Sequence, residues 1–265
     1  MSVVDADALT ADGSLPDSAS VAVHGSARPV PIASLAKVMT AFVVLADHPL
    51  AGSSQGPSIV VTQADADRYA STVADGESAV EVRAGERITE RQALEALLLG
   101  SANNVAVLLA DWDGGGVSRF VDRMNTTAAR LGLRSTHYAD PAGLDRRTVS
   151  TAADQVRLAL NALRVPAFAA VVAMPTARIP VAGTVENHDA MLGVDGIVGV
   201  KTGLTNAAGA AMVVAARQSV NGRRVLIVGA VLGVFGDPAT RFGRVLDAGD
   251  ELVSGVEHWL RRQHS

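Results

Sequence analysis

The chain has no cysteine among its 265 residues. That excludes disulfides, thiol catalysis and thiolate metal sites. Its six histidines (His24, His48, His137, His188, His258 and His264) show no metal-ligand spacing such as His-Glu-x-x-His, so neither a metal nor another cofactor is expected. Charge is scarce, at 19% Asp, Glu, Lys and Arg, and the net charge of −4 leaves no basic footprint for nucleic acid. No apolar run reaches the length of a membrane span. The N-terminus lacks a basic segment followed by an apolar one, so no signal peptide is expected, and an exported protein would be in its processed or trimmed form. Repeats and low-complexity segments are missing too. What is there is a 48% hydrophobic chain, ample for a large core.

The rest is organised around Pro31-Ile32-Ala33-Ser34-Leu35-Ala36-Lys37-Val38-Met39-Thr40-Ala41. Apolar residues run from Leu35 through Leu45 without Gly or Pro, which predicts a buried helix starting near Ser34. Ser34 and Lys37 are three residues apart and share a helix face, so hydroxyl and amine can meet. A serine hydroxyl is a poor nucleophile at neutral pH and needs a base. A lysine serves if burial lowers its pKa. Taken alone, Ser-x-x-Lys also fits a helix start with a surface lysine. Two later stretches change its weight: Ser101-Ala102-Asn103 and Lys201-Thr202-Gly203.

Along the chain, Ser20 to His24 reads as a strand, with a turn at Gly25-Ser26. The first helix ends before His48-Pro49. Ile59 to Thr62 and Ala79 to Val82 read as short strands, with a turn at Asp75 to Ser78 between them. Thr89 and Gln92 form a capping box for a buried helix that halts at Gly100. Ser101-Ala102-Asn103-Asn104 connects it to another helix, Val105 to Trp112, and Ser and Asn there would by themselves read as caps. Gly114-Gly115-Gly116 breaks the chain before an amphipathic helix, Val117 to Leu131. Leu133 to Val149 is irregular, and Ser150/Thr151 with Asp154 starts a helix ending before Pro166. Strands follow at Val198–Gly203, Ala210–Ala216 and Arg224–Val234, the last two joined by the hairpin signal Asn221-Gly222. A helix from about Arg241 to Arg262 closes the chain.

With these residues in view, the chain resembles the low-molecular-mass penicillin-binding proteins, specifically the serine-type D-alanyl-D-alanine carboxypeptidases. Ser-x-x-Lys, an Ser-x-Asn element and Lys-Thr-Gly form that group's motif trio. Leu98 to Ala106, Asp140-Pro141-Ala142-Gly143-Leu144-Asp145, Gly193-Val194-Asp195-Gly196, Lys201 to Thr205 with Ala208-Gly209, and Arg241-Phe242 fit as well. The resemblance runs from about residue 20 to 260. Two departures stand out: Asn104 where many relatives carry Asp, and extra residues in the Gly196–Lys201 approach to Lys-Thr-Gly. Many relatives also continue into a second β domain and an amphipathic anchor, so the resemblance implies a natural single-domain member or a shortened chain.

The implied fold is α+β, of the DD-peptidase/β-lactamase type. It has a five-stranded, mainly antiparallel sheet flanked by helices, with an inserted helical region. One catalytic domain would span 1–265, its α/β part being about 1–33 and 166–265 and its mainly helical part about 34–165. The implied activity is cleavage of the terminal D-Ala from peptidoglycan stem peptides ending in D-Ala-D-Ala, on the outer side of the cytoplasmic membrane, with β-lactams as covalent inhibitors. Ser34 would form the acyl-enzyme, Lys37 would be the base and Ser101 a proton relay. Asn103 would bind the substrate backbone, Lys201, Thr202 and Arg241 the terminal carboxylate, and Gly203 would allow close approach. The backbone N–H groups of Ser34 and Leu204 would form the oxyanion hole. Asn187, His188 and Asp145 read as structural. A class A-like β-lactamase would need a water-activating carboxylate, and no Glu-x-x-x-Asn lies between Ser101 and Lys201. A non-catalytic β-lactam sensor would usually sit on a membrane-spanning signalling chain.

Overall fold

A computed structural model of the chain describes residues 2–5, 20–21, 27–220 and 222–263. Strands β1 (Ser2–Asp5), β2 (Ser20–Val21) and β3 (Val30–Pro31) precede a 3-10 turn at Ala33–Leu35, which runs directly into helix α1 (Ala36–Asp47). Short strand β4 (Ser58–Val60), helix α2 (Gln63–Ala74), strand β5 (Arg87–Thr89) and helices α3 (Glu90–Leu98), α4 (Asn103–Gly114) and α5 (Val117–Arg130) follow. Strand β6 (Val149–Ser150), helices α6 (Ala152–Ala162) and α7 (Pro166–Val172) and the hairpin β7 (Thr176–Ile179) and β8 (Gly183–Glu186) lead back to the sheet. That sheet is completed by β9 (Ile197–Thr205), β10 (Gly209–Val220) and β11 (Arg223–Val234), and α8 (Arg241–Gln263) closes the chain.

The five strands lie in the order β2-β1-β11-β10-β9, with every neighbouring pair antiparallel. The fold is α+β, as the resemblance implied. Both faces of β10 are buried, which is why it reads as one long apolar run. Ala210, Met212, Val214 and Ala216 face α8 through Val245, Val253 and Val256, whereas Ala211, Val213 and Ala215 belong to the core shared with the helices. Two-residue alternation thus serves two cores at once. Val220 pairs with Arg223, leaving a two-residue connection with Gly222 at φ +78°. Asn221, half of that hairpin signal, lies outside the described residues, as do residues 22–26 with the expected end of the first strand and its turn.

The extra residues before Lys-Thr-Gly are absorbed by a bulge. Gly199 pairs with Ala215 while Ile197 pairs with Ala216, so Val198 has no opposite partner. Gly199 has φ +127° and backs onto Val172 of α7, where a Cβ would sit 3.1 Å from the valine side chain. The bulge keeps Lys201 in register opposite Val213.

In the helical region, α1 is buried on nearly all sides and packs against α3, α4, α5, α6 and α7. The expected capping box is formed: Thr89 accepts from the Gln92 N–H, and the Gln92 side chain accepts from the Thr89 N–H. Helix α2 is not announced by apolar spacing, because only Asp65 and Thr72 are buried, but a second capping box at Thr62/Asp65 starts it. The strand expected at Ala79–Val82 is a correction: this segment is irregular, and β4 pairs with β5 instead. Val80 has a side chain where a strand would have a neighbour. Its N–H donates to Asn104 Oδ1 at 3.1 Å, and its carbonyl accepts from Asn104 Nδ2 at 2.9 Å.

One buried group limits the stability of this region. Glu90 opens α3 at 0% exposure, and neither carboxylate oxygen has a hydrogen-bond partner among the described residues. A Cβ on Gly56 would lie 2.5 Å from Glu90 Oε2. Burial raises the Glu90 pKa to about 7; His48 and Arg91 pull it down and Asp113 pushes it up. The folded value exceeds the unfolded one, so stability from this group is complete below the unfolded pKa and is lost as pH rises through about 7. Glu90→Gln is therefore expected to stabilise the protein above neutral pH, by on the order of 1–3 kcal/mol. Melting curves at pH 5 and pH 8 check this: the advantage of the variant should grow with pH, and a constant difference would contradict it.

Candidate active site

The turn that carries Ser34 is strained at the residue before it. Ala33 has φ +48°, a left-handed conformation that alanine rarely adopts. It is held there by burial of Ile32 and Leu35, both 0% exposed, and by the Leu35 N–H bonding back to the Ile32 carbonyl. Ser34 therefore sits in the 3-10 turn rather than in α1, and Lys37 one turn later reaches its Oγ at 2.8 Å.

The Lys37 amine is fully buried and has three acceptors: Ser34 Oγ at 2.8 Å, Asn103 Oδ1 at 2.7 Å and the Ala142 carbonyl at 2.9 Å. Burial holds its pKa well below the usual lysine range; the Lys201 charge lowers it further, while Asp140 and Glu77 act the other way. Three acceptors suit an ammonium, which has three N–H bonds. A neutral amine has two N–H bonds and one lone pair. The carbonyl oxygens of Asn103 and Ala142 can only accept, so they take the two N–H bonds. The lone pair is then left facing the Ser34 hydroxyl.

Both carbonyls are fixed by their surroundings. Asp140 Oδ2 accepts from the N–H groups of Ala142 and Leu144, at 3.2 and 2.8 Å, and Oδ1 accepts from Thr148 Oγ1 at 2.6 Å. Thr40 of α1 donates to the Pro141 carbonyl at 2.7 Å. Gly143 has φ +84° and touches the Ala33–Leu35 turn so closely that a Cβ would lie 1.8 Å from the Ala33 carbonyl oxygen. Asn103 opens α4 without capping it; the N-cap position is Ala102, with no side-chain bond. Its N–H donates to the Ser78 carbonyl at 2.8 Å, and its Nδ2 donates to Glu77 Oε2 at 3.1 Å. Ser101 precedes it with φ +56°, a second strained non-glycine residue at the site.

The opposite wall is the edge strand β9, which runs beside the 3-10 turn. Lys201 is buried and its pKa is lowered to about 8 by desolvation, with Asp189 opposing the shift. A Cβ on Gly203 would lie 3.1 Å from the Ser34 nitrogen, so strand and turn are nearly in contact. Between the walls is a cleft of about 330 Å³, lined by Ser34, Ser78, Ser101, His188, Thr202, Gly203, Leu204 and Phe242.

Ser34, Lys37 and Asn103 are thus joined by direct bonds, and Ser101, Thr202, Gly203 and Leu204 share the cleft. Arg241 stands apart: it starts α8 and donates to Asn206 Oδ1 at 3.2 Å in the β9–β10 turn, while its neighbour Phe242 lines the cleft. His188, read from sequence as structural, is a cleft wall whose pKa is lowered by burial and by both lysines. Glu77, Ser78 and Asp189 went unread. Asp189 is 4% exposed, accepts from the Met191 N–H, and keeps Oδ2 without a hydrogen-bond partner among the described residues, in the field of Lys201.

The sequence profile of the D-alanyl-D-alanine carboxypeptidases, peptidase family S11, matches residues 21–235. The chain belongs to this family. A D-alanyl-D-alanine carboxypeptidase of Mycobacterium tuberculosis is 37% identical over 204 residues, covering 74% of this chain and 65% of that protein. A D-alanyl-D-alanine endopeptidase of Pseudomonas aeruginosa is 34% identical over 232 residues, covering 83% of this chain and 70% of that protein. The match therefore spans slightly under two thirds of the mycobacterial relative. Among solved structures, the Streptomyces K15 DD-transpeptidase superposes with a TM-score of 0.73 at 28% identity, covering 93% of this chain and 95% of that one.

In this family member the contact between Gly143 and Ala33 leaves no room for a side chain. Gly143→Ala must displace either the turn that carries Ser34 or the Ala142 carbonyl that orients Lys37. Shifts of about 1 Å cost roughly a hundredfold in rate. Labelling of the protein by a fluorescent penicillin is expected to fall by about that factor, with the circular dichroism spectrum unchanged. A normal labelling rate would show that the contact does not hold the site.

Proposed function

We propose that the chain is a serine D,D-carboxypeptidase that removes the terminal D-Ala from peptidoglycan stem peptides ending in D-Ala-D-Ala. The observation that carries this reading is the buried Lys37 amine, bonded to Ser34 Oγ and to two fixed carbonyl oxygens. In this reading neutral Lys37 takes the Ser34 proton as Oγ attacks the carbonyl between the two D-alanines. The oxyanion is met by the backbone N–H groups of Ser34 and Leu204; one such donor is worth roughly 2.7–4 kcal/mol in comparable enzymes. Ser101 passes the proton to the leaving amine, and water then releases the acyl-enzyme.

Asn103 has one Nδ2–H left after its bond to Glu77, so it meets the substrate as a donor to a peptide carbonyl. Lys201 and Thr202 take the terminal carboxylate. Arg241, bonded to Asn206 beyond the cleft lining, contributes charge from the rim. The substrate lies on the outer side of the cytoplasmic membrane, and so does the enzyme. β-Lactams, which offer an acylating amide and a carboxylate, are its covalent inhibitors. A single catalytic domain is sufficient for these roles.

Intact-mass analysis after incubation with penicillin, followed by peptide mapping, is expected to place the adduct on Ser34. Lys37→Arg should lower acylation by about 10²–10⁴-fold, because a guanidinium does not deprotonate in a protein. Labelling of Ser34→Ala, or near-normal acylation of the Arg variant, would overturn the assignment.

The carboxylate subsite makes a separate demand. Amidating the terminal D-Ala leaves buried Lys201 without its partner and should cost roughly 2–5 kcal/mol in kcat/KM. Lys201 must be charged for this role, so kcat/KM for the free acid should also fall as pH rises through about 8. Equal rates on acid and amide would remove the subsite. Arg241→Ala should harm the acid and spare the amide, and a small, equal loss on both would remove Arg241 from the subsite.

A further inference from the structure

We propose that Glu77 is a positioning residue for acylation: its carboxylate fixes the orientation of the Asn103 side-chain amide, and through it the direction of the Lys37 lone pair. The inference rests on the acyl-transfer reading given above.

The oxygen and nitrogen ends of an asparagine amide have nearly the same shape, and only their partners distinguish them. The partners here are Lys37 Nζ, 2.7 Å from Oδ1, and Glu77 Oε2, 3.1 Å from Nδ2. In the ammonium form Lys37 selects Oδ1 unaided, because it can only donate. In the neutral form it does not. A flipped Asn103 could then donate its N–H to the lysine lone pair, and that lone pair would no longer face Ser34. The unproductive orientation becomes available in the protonation state that catalysis needs. A carboxylate removes the ambiguity, because it accepts and never donates. With Glu77 in place Nδ2 must face it, Oδ1 must face Lys37, and the lone pair is left for the serine hydroxyl.

Glu77 is not a wandering surface group. Its own N–H donates to the Thr72 carbonyl at the end of α2, at 3.0 Å. The next residue, Ser78, accepts from the Asn103 N–H at 2.8 Å, and Val80 is clamped by both ends of the Asn104 side chain. The segment 77–80 is thus bonded to the first turn of α4 through Glu77, Ser78 and Val80. The side chain is half-buried, so the bond to Asn103 is only partly shared with solvent.

The charge of Glu77 has a second effect, which a purely structural role would not produce. The charged groups acting on Lys37 are Lys201, Asp140 and Glu77, and His188 in turn feels Lys37. Lys201 favours the neutral amine; the two carboxylates favour the ammonium. Removing the Glu77 charge therefore lowers the Lys37 pKa, and the acid limb of the acylation profile must move to lower pH.

The test is Glu77→Gln, with acylation by a β-lactam probe and decay of the acyl-enzyme followed separately across pH. Glutamine can both donate and accept, so it permits either orientation of Asn103. The plateau rate of acylation is expected to fall on the order of tenfold to a hundredfold, the value of a charge-assisted bond. The acid limb should shift to lower pH. In an Asn103→Ala background, Glu77→Gln should lower the plateau no further, because the residue through which it acts is gone. Glu77→Asp should recover part of the rate if the shorter carboxylate still reaches Nδ2. An unchanged plateau and limb in a folded Gln variant would overturn the proposal. Full additivity with Asn103→Ala would overturn it too, as would slower decay with normal acylation, which would make Glu77 a hydrolytic base instead. A parent protein that is not acylated at Ser34 would remove the acyl-transfer reading itself, and this inference with it.

Discussion

Everything in this site depends on keeping one amine out of water. Lys37 is fully buried, yet all its polar capacity is used by Ser34, Asn103 and Ala142. Burial makes the neutral form accessible, and the three acceptors give that form a direction. Neither condition suffices alone. A buried amine without fixed acceptors would rotate, and a fixed but hydrated amine would stay protonated. The surroundings follow from that pair of demands. Helix α1 is apolar on nearly all sides because it must seal the amine. The loop at Asp140–Thr148 is held by its own Asp–Thr bonds because it supplies a carbonyl. Strain at Ala33 and Ser101 sits where chain direction, not stability, decides the geometry.

The cleft is an interface between parts of the chain far apart in sequence. One wall is the turn that carries Ser34, another the junction of α3 and α4 with the 77–80 segment, and the third the sheet edge at β9. An edge strand is ordinarily a liability, since its free backbone invites pairing with another chain. Here that edge is turned inward against the 3-10 turn, and in the proposed reaction it receives an extended peptide. The bulge at Val198 lets the strand carry an insertion without moving Lys201 from its place opposite Val213. A one-residue slip would instead send Lys201 to the other face.

Much of this was legible in the sequence. Ser34 and Lys37 could be paired because helical spacing alone brings them together. The Ser101–Asn103 cluster, which by itself reads as helix caps, could be singled out only in company with Ser34-x-x-Lys37 and Lys201-Thr202-Gly203, and the two-sided burial of β10 shows in its unbroken apolar run. Glu77 and Asp189 were not legible, for one shared reason. Each lies in a short polar turn, and turns favour Asp, Glu, Ser and Asn whether or not the side chain faces anything. The need for glycine at 143 was equally hidden, since it comes from Ala33, more than a hundred positions away. The irregular Ala79–Val82 segment alternates like a strand because its valines are buried in alternation, but a side-chain amide, not a strand, satisfies its backbone.

The two lysines complete the logic, because the proposed chemistry asks opposite things of them. Lys37 must be neutral to take a proton, and Lys201 must be charged to hold a carboxylate. Desolvation lowers both, so burial alone does not separate their roles. Their neighbours do. Asp189, with one carboxylate oxygen unpartnered among the described residues, lies in the field of Lys201 and supports its charge. The charge so retained presses on Lys37 and favours its neutral form. A substrate carboxylate arriving at Lys201 strengthens the first effect, since an added negative charge raises the pKa of the cation it meets. Lys201 then keeps its proton and its hold on the ligand more firmly, while the negative charge of the ligand offsets part of the effect of Lys201 on Lys37. Asp140 and Glu77 pull Lys37 the other way, but both are first engaged in hydrogen bonds that place its acceptors. The site thus accepts a modest electrostatic penalty at its base in exchange for direction, and recovers it from the second lysine.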